Sequence, residues 1–200
     1  MRDIPLTTEA RERVLDAAER LFAQKGYTAV TLRDVGAAAG IRHASLYHHV
    51  PGGKEALFVE VTERHFYRHR HGLTDALTKA GPNIRQQLYA AADWLLSQPP
   101  MDLIRMAYSD LPAVASTHAE RLSDLAYASM IAPIEQALRQ ALERGEIQHA
   151  DTGLIAGGLL GMVESLYSVP DSALQGERTR KTMAHALIDV ILDGIREPKK

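Results

Sequence analysis

Residues 31–50, Thr-Leu-Arg-Asp-Val-Gly-Ala-Ala-Ala-Gly-Ile-Arg-His-Ala-Ser-Leu-Tyr-His-His-Val, are the stretch that decides the fold. Thr31 followed by Asp34 is a capping-box pattern, in which each side chain bonds the other residue's backbone N–H at the start of a helix. Gly40 is able to take the left-handed conformation that ends a helix. The stretch therefore predicts two short helices joined by a tight turn, the second beginning at Ile41.

Helix, glycine-containing turn and helix, in this order, are typical of a helix-turn-helix, whose second helix enters the major groove of DNA. Ile41, Leu46 and Val50 are expected to face inward. The outward side chains carry hydroxyl and imidazole groups that suit phosphates or base edges, and one small residue that lets the backbone come close. These outward residues are His43, Ala44, Ser45, Tyr47, His48 and His49. The alternative is an ordinary helical hairpin inside an all-α core.

The flanking residues extend this pattern into a longer signature. Thr31-Leu-Arg-Asp-Val through Gly40-Ile, then Ser45-Leu-Tyr-His-His-Val-Pro and Gly53-Lys-Glu-Ala-Leu, closely resemble the DNA-binding signature of the TetR family of bacterial repressors. The chain departs from that signature twice. Arg42 stands where many members have a Ser that caps the recognition helix, and Val50-Pro-Gly-Gly-Lys54 is one residue longer than the usual Phe-x-Ser-Lys.

The resemblance implies a ligand-responsive repressor that binds a palindromic operator in double-stranded DNA as a homodimer and is released by a small hydrophobic effector. Carried over by position, it implies phosphate contacts from Thr31, Tyr47, His49 and Lys54. It likewise implies base contacts from Arg33, Arg42, His43, Ala44 and Ser45. Arg33 and Arg42 are the best suited of these to a bidentate contact with guanine.

The composition favours a helical protein. Of the 200 residues, 46% are hydrophobic and only 6% are aromatic, and Ala and Leu are abundant. The chain has no cysteine, which excludes a disulfide framework, a thiolate zinc site and a cysteine nucleophile. We find no signal peptide and no apolar run of about 18 residues, so we expect a cytoplasmic protein that does not contact a membrane.

The charge is distributed unevenly along the chain. The net charge is −2, but residues 1–71 contain 11 Lys and Arg against 9 Asp and Glu, whereas residues 72–200 contain 12 against 16. A positive N-terminal part on an acidic body agrees with a chain that contacts DNA at one end.

Hydrophobic periodicity predicts an all-α fold of about nine helices. We expect a three-helix helix-turn-helix domain over residues 1–53 and a helical ligand-binding and dimerisation domain over residues 54–200. The first helix is predicted from a cap at Thr7 or Thr8 to about Lys25, and a long helix follows residue 53. Further helices are predicted over residues 83–97, 101–111, 113–145, 151–168 and 178–195, with Pro133 as a place for a kink.

His65 and His69 on the long helix are four residues apart, which is a metal-ligand spacing. Because no companion carboxylate motif accompanies them, we expect a solvated basic face, and neither a metal nor a cofactor is assigned.

The helical body is expected to hold the effector. Aromatic and Met side chains make adaptable apolar walls, although at helical spacing they are also ordinary core residues. The candidates to line a cavity are Trp94, Met106, Tyr108, Met130, Met162 and Tyr167.

Two features near the C-terminal end suit a homodimer. Gly153, Gly157 and Gly161 recur every four residues on one helical face, where another helix could approach closely. The last helix carries an apolar stripe formed by Met183, Leu187, Val190 and Ile191. Such faces are what a two-fold helix-bundle interface needs. Alternatively, these residues belong to the internal core of a single chain.

Two other functions fit an all-α chain. One is a dimeric enzyme, and the other is an interaction protein whose helix-turn-helix does not bind DNA. We find no nucleophile elbow, no HExxH motif, no glycine-rich phosphate loop and no paired carboxylates at an evident site. No catalytic residue is therefore assigned.

Overall fold

The computed structural model describes residues 8–100, 102–148 and 151–194, apart from the side chains of Thr8, His43, Ala44 and Tyr47. Within this part of the chain every regular element is helical, which confirms the predicted all-α fold. The α-helices are α1 (Thr8–Lys25), α2 (Leu32–Ala39), α3 (His43–His49), α4 (Gly53–Lys79), α5 (Ile84–Ser97), α6 (Leu103–Arg105), α7 (Ser116–Ala126), α8 (Ala132–Glu143), α9 (Thr152–Ser165) and α10 (Arg180–Gly194). Residues 1–7, including the cap candidate Thr7, lie outside the described residues.

Local signals set several helix boundaries as the sequence predicts. The Thr31 hydroxyl accepts the Asp34 N–H at 3.2 Å, and the Asp34 carboxylate accepts the Thr31 N–H at 2.9 Å, which completes the capping box of α2. Gly40 ends α2 in the left-handed conformation, with φ 67°. Asn83 caps α5 by accepting the Gln86 N–H at 3.1 Å.

Two π-helical turns change the helices that follow α5. The single helix predicted over residues 101–111 is instead the short α6 followed by the π turn Met106–Asp110 and the 3₁₀ turn Leu111–Ala113. The long helix predicted over residues 113–145 is interrupted by the π turn Tyr127–Ile131. Pro133 lies in the first turn of α8, directly after this π turn. Because proline has no N–H to donate, the helix changes its hydrogen-bonding pattern there.

The chain divides into two compact units, and α4 contributes residues to both of them. The first unit comprises Met1–His65 and Asp102–Leu125, and the second comprises Phe66–Met101 and Ala126–Lys200. The functional boundary expected between residues 53 and 54 stays a prediction.

In the first unit, α1 packs against α2 and α4. Phe22 on α1 meets Phe58 on α4 edge to face, with ring centroids 5.2 Å apart. Arg64 on α4 donates to Glu12 at 2.9 Å and to Asp16 at 2.8 Å, both on α1. The fully buried residues of this core include Val14, Ala17, Ala18, Val35 and Leu46.

In the second unit, α5 contacts α8, α9 and α10. Its inward face and the facing helices are apolar. The most deeply buried side chains here include Leu73, Ile84, Leu88, Met130, Ile134, Leu138 and Ile188.

The predicted solvated basic face at His65 and His69 is wrong, because the two residues are only 3% and 2% exposed. In the first unit, His65 Nδ1 lies 3.4 Å from Glu19 Oε1. In the second unit, the ring of His69 lies 6.4 Å from that of Trp94. His65 and His69 stand in line, at spacings of four residues, with Val61 and Leu73 on the buried face of α4.

Candidate nucleic-acid interface

The turn between α2 and α3 brings the two helices into close contact. The Ile41 N–H donates to the Gly36 carbonyl at 2.9 Å. A Cβ on Gly36 would lie 3.3 Å from both the Ile41 carbonyl oxygen and Leu46 Cδ2, so a larger residue would press the helices apart. Val35 and Leu46 are fully buried beneath the turn, which leaves the opposite side of both helices exposed.

The exposed side of α2 and α3 carries the groups that the sequence predicts to contact DNA. The exposed predicted contacts are Thr31, Arg33, Arg42, Ser45 and His48. Arg42 occupies the N-cap position of α3, and its side chain makes no capping hydrogen bond. Its guanidinium is therefore not used to stabilise the helix. The side chains of His43, Ala44 and Tyr47, also predicted contacts, lie outside the described residues.

The position of His49 differs from that expected of a phosphate contact, since this residue is only 8% exposed. His49 follows Leu46 by three residues, which places both on the inward face of α3. Its carbonyl oxygen accepts a hydrogen bond from Arg11 Nη1, and Arg11 Nη2 lies 2.6 Å from Glu60 Oε1. A cation at the C-terminus of a helix is stabilising, so Arg11 joins α3 to α1 and α4.

Lys54, the predicted phosphate contact at the start of α4, lies over the turn between α1 and α2. Its Nζ is 4.2 Å from the ring centroid of Tyr27 and 3.4 Å from the Thr28 carbonyl oxygen. The Tyr27 ring in turn lies 4.9 Å from that of Phe58. Burial and, secondarily, the carboxylate of Glu55 raise the pKa of Tyr27. The Lys54 ammonium is therefore held both by a cation–π contact with Tyr27 and by the Thr28 carbonyl oxygen.

Two charged residues far along the chain hold the same turn, and sequence reasoning missed both. Asp110 is 2% exposed and accepts the Tyr27 N–H at 2.7 Å. Arg105 donates to the carbonyl oxygens of Phe22 and Ala23 at 3.1 Å and 2.5 Å. Nothing in the local sequence marks these residues, because their partners lie more than 80 positions away.

A third distant contact joins the start of α4 to α7. Glu55 accepts the Ala115 N–H at 3.0 Å, and its Oε1 lies 2.7 Å from His118 Nδ1. These two hydrogen bonds, the backbone one first, lower the pKa of Glu55. Arg121 Nη2 lies 2.5 Å from Glu63 Oε1, about two turns further along α4. Glu55 and Glu63 thus join α7 to α4, the helix that also carries Lys54.

A small cavity lies within the second unit. Its volume is about 10 Å³, which is about the room that one water molecule needs. The lining is entirely apolar and comes from α5, α8, α9 and α10: Leu88, Ala91, Ala92, Leu95, Ile134, Leu159, Val163 and Ile188. None of the six predicted effector-contacting residues is among them.

The six predicted effector-contacting residues differ in how deeply they are buried. Met106 and Met130 are buried, and Trp94, Met162 and Tyr167 are half-buried. Tyr108 is 84% exposed, because the buried positions of its π turn are taken by Met106 and Asp110. In this conformation Tyr108 therefore forms no wall of an enclosed cavity.

The predicted dimer residues form exposed or half-buried surface on α9 and α10. Leu187 is 38% and Val190 71% exposed, and Met183 and Ile191 are half-buried. A Cβ on Gly157 or Gly161 would meet nothing within 4 Å, whereas one on Gly153 would approach the carboxylates of Asp151 and Glu135. The neighbouring Leu154 is 72% exposed. Two adjacent helices thus present apolar surface that the described residues do not cover.

The described ranges contain no group of three or more His, Cys, Asp or Glu side chains that could hold a metal ion. Within the same ranges, no helix is long and apolar enough to cross a membrane.

Residues 14–61, which run from α1 into α4 and contain the whole exposed face, match the family model of the bacterial regulatory proteins of the tetR family. This segment of the chain is similar to the TetR family. It is 29% identical to the HTH-type transcriptional regulator LmrA of Bacillus subtilis, over 81% of this chain and 90% of that protein. It is also 31% identical to the HTH-type transcriptional repressor NemR of Escherichia coli K12, over 45% of each chain.

Solved structures share the all-α fold described above. The reduced form of E. coli NemR superimposes with a TM-score of 0.71 at 23% identity, covering 96% of this chain and all of that one. AibR in complex with isovaleryl coenzyme A and operator DNA superimposes with a TM-score of 0.72 at 19% identity, covering 90% of this chain and 97% of that one. The two curated relatives named above are HTH-type transcriptional regulators.

Proposed function

We propose that this chain is a TetR-type transcriptional regulator, a repressor that binds a palindromic operator as a homodimer and is released by a small hydrophobic effector. The observation that carries DNA binding is the exposed face of α2 and α3, where Arg33, Arg42, Ser45 and His48 all face solvent. Guanidinium groups pair bidentately with guanine, and hydroxyl and imidazole groups contact phosphates or base edges. The apolar residues beneath this face give it a rigid support.

The homodimer is supported by the surface of α9 and α10. Gly157 and Gly161 leave room for a close helix approach, and Leu154 and Val190 would lose their exposure to water in a two-fold contact. A dimer of this kind presents two copies of α3 to successive major grooves, whose centres lie about 34–36 Å apart. A palindromic operator matches that symmetry.

Release by a hydrophobic effector is supported by the chemistry of the second unit. Its cavity is lined by aliphatic side chains alone, so the matching ligand group is apolar. At about 10 Å³ this cavity is too small for an effector, so an effector that binds here requires a second arrangement in which the cavity is larger. A ligand that binds this second arrangement better than the DNA-binding one shifts the population towards release.

The first experiment selects from a pool of random duplexes those that the purified chain retains, over a series of salt concentrations. We expect a palindrome to be enriched and the affinity to fall steeply with salt. Arg33→Ala and Arg42→Ala are expected to weaken binding to the enriched duplex. Arg20→Ala, which removes an exposed arginine of α1 outside the interface, is the matched control. Enrichment of no sequence, or equal losses in all three variants, would contradict the proposal.

A further inference from the structure

We propose that Asp110 is a positioning residue for DNA binding, which fixes the turn between α1 and α2 and, through Tyr27, holds Lys54 where it can contact a DNA phosphate. This inference rests on the proposed function, because it gives Lys54 a phosphate partner. Asp110 itself is buried and is not expected to touch DNA.

The carboxylate of Asp110 is built into the turn. One of its oxygens accepts the Tyr27 N–H at 2.7 Å, and a Cβ on Gly26 would lie only 2.9 Å from that same oxygen. Gly26 also has a φ of 79°, so this position favours glycine for its backbone conformation as well as for space. A buried carboxylate is costly unless it is paired, which means that a specific arrangement must compensate for its burial.

Arg105 supplies that compensation and extends the contact to α1. Its Nε lies 3.5 Å from Asp110 Oδ2. Its Nη2 donates to the carbonyl oxygens of Phe22 and Ala23 in the last turn of α1, and the Phe22 carbonyl also accepts the Gly26 N–H at 2.9 Å. A cation at this end also suits the helix dipole. Arg105 therefore holds the end of α1, and Asp110 holds Tyr27 in the turn that follows.

Tyr27 contacts both Asp110 and Lys54 and so connects them. Its backbone N–H is fixed by Asp110, and its ring lies 4.2 Å from Lys54 Nζ. The ring centroids of Phe22 and Phe58 lie 6.2 Å and 4.9 Å from that of Tyr27, and both rings restrict how the Tyr27 ring can move. An unrestrained lysine loses side-chain entropy when it binds a phosphate, whereas a lysine already held in place loses less. Asp110 thus strengthens a DNA contact that it does not make.

The test measures binding to a fluorescein-labelled duplex of mixed sequence, about 30 base pairs long, at several salt concentrations, because phosphate contacts do not depend on sequence. The variants are Asp110→Asn, Lys54→Ala, the double variant and a control, Asp124→Asn. Asp124 is exposed on α7 and has no hydrogen bond or ion pair with the described residues.

We expect Asp110→Asn to weaken binding several-fold and to reduce the salt slope by about one, as the loss of one phosphate contact does. In the Lys54→Ala background the same change should have no further effect, because the two residues act through one contact. Asp124→Asn should bind like the wild type. Equal losses in both backgrounds, or an Asp110→Asn variant that behaves like the control, would overturn the inference while leaving the proposed function intact. A wild-type chain that binds no duplex would overturn both.

Circular dichroism melting shows whether Asp110→Asn is folded at the assay temperature. If it is not, Arg105→Lys takes its place, since lysine keeps a charge near Asp110 but lacks the forked guanidinium that reaches the α1 carbonyls. We expect a smaller loss of affinity that again disappears in the Lys54→Ala background. A loss that persists there would overturn the inference.

Discussion

The indole ring of Trp94 lies directly against the backbone of Gly72. A Cβ built on Gly72 would meet two carbons of the ring at 2.0 Å, which is far below any contact distance. Gly72 lies inside α4, where glycine is about 1 kcal/mol less favourable than alanine. The residue therefore serves to admit the ring of Trp94 and not to relax the backbone.

Gly72→Ala is expected to lower the free energy of unfolding by about 1–3 kcal/mol, because the overpacking outweighs the better helix propensity of alanine. Gly158→Ala is the matched control: its Cβ would meet nothing within 4 Å, and it should raise the stability by up to about 1 kcal/mol. Urea denaturation measures both. A stabilised Gly72→Ala variant would show that Trp94 does not pack against this glycine.

Tyr167→Phe is expected to lower the free energy of unfolding at neutral pH by about 1 kcal/mol. The Tyr167 hydroxyl lies 2.7 Å from the carbonyl oxygens of both Leu95 and Gln98 at the end of α5, and phenylalanine leaves both without this donor. Burial, with a smaller contribution from Glu164, raises the pKa of Tyr167 to about 12.

A raised tyrosine pKa also predicts how this contribution depends on pH. Between pH 10.0, the ordinary pKa, and about 12, the folded state keeps a proton that the unfolded state loses, so the wild type loses stability as the pH rises. The difference between the wild type and Tyr167→Phe should therefore shrink over this range. A constant difference would mean that the hydroxyl is not buried against α5.

The sequence predicts those parts of the structure that depend on neighbouring residues. The capping box of Thr31 and Asp34 and the left-handed Gly40 are each settled within a few positions, so α2 and its end are predicted correctly, whereas α3 begins at His43 and not at Ile41. The exposure of Arg33 follows from the helical periodicity that places Val35 and Ala39 on the inward face of α2.

Other parts depend on packing between distant segments and are not predicted. The burial of His65 and His69 results from helices that cover α4, and the role of Asp110 results from a hydrogen bond across 83 positions. His49 was expected to face DNA, yet its spacing from Leu46 places it on the inward face. That last signal was present in the sequence, and so was the spacing of four residues that places His65 and His69 in line with the buried Val61 and Leu73. No local signal marked Asp110.

Glu55→Gln is expected to remove a pH-dependent contribution to stability. The hydrogen bonds from the Ala115 N–H and from His118 lower the pKa of Glu55 below its usual 4.5, so the folded state favours the carboxylate. This contribution is fully present above the unfolded pKa and is lost as the pH falls through the lower folded pKa. The wild type should therefore exceed Glu55→Gln in stability at neutral pH, and the difference should shrink in acid.

Chemical denaturation at a series of pH values measures this effect. Glu120→Gln is the control, because Glu120 is exposed on α7 and has no hydrogen bond or ion pair with the described residues. A difference for Glu55→Gln that grows as the pH falls would contradict the assigned hydrogen bonds.

Val190→Glu is expected to convert the proposed dimer to a monomer. Val190 is 71% exposed, so glutamate costs little in the isolated chain, whereas burying two unpaired carboxylates in a two-fold interface is strongly unfavourable. Sedimentation equilibrium measures the dimer dissociation constant. Ile104→Glu, which changes an equally exposed residue of α6, should leave it unchanged. A dimer that withstands Val190→Glu but dissociates with Ile104→Glu would place the interface elsewhere.

Arg42→Ser is expected to change stability and DNA binding in opposite directions. Arg42 has the extended backbone of an N-cap, with φ −62° and ψ 140°, but its side chain accepts no hydrogen bond from α3. Serine accepts a backbone N–H at such a position, so the free energy of unfolding should rise by about 0.5–2 kcal/mol. The same change removes an exposed cation from the interface and should weaken binding to the selected duplex.

Arg42→Ala separates the two effects, because alanine removes the cation without providing a cap. It should weaken DNA binding as much as Arg42→Ser does while leaving the stability nearly unchanged. Chemical denaturation and fluorescence anisotropy on the same preparations measure both quantities. If Arg42→Ser is more stable and binds DNA as tightly as the wild type, the arginine does not contact DNA and its presence at the start of α3 has no functional explanation. If binding falls in both variants, Arg42 contacts DNA, and α3 lacks the stabilising N-cap that serine would provide at this position.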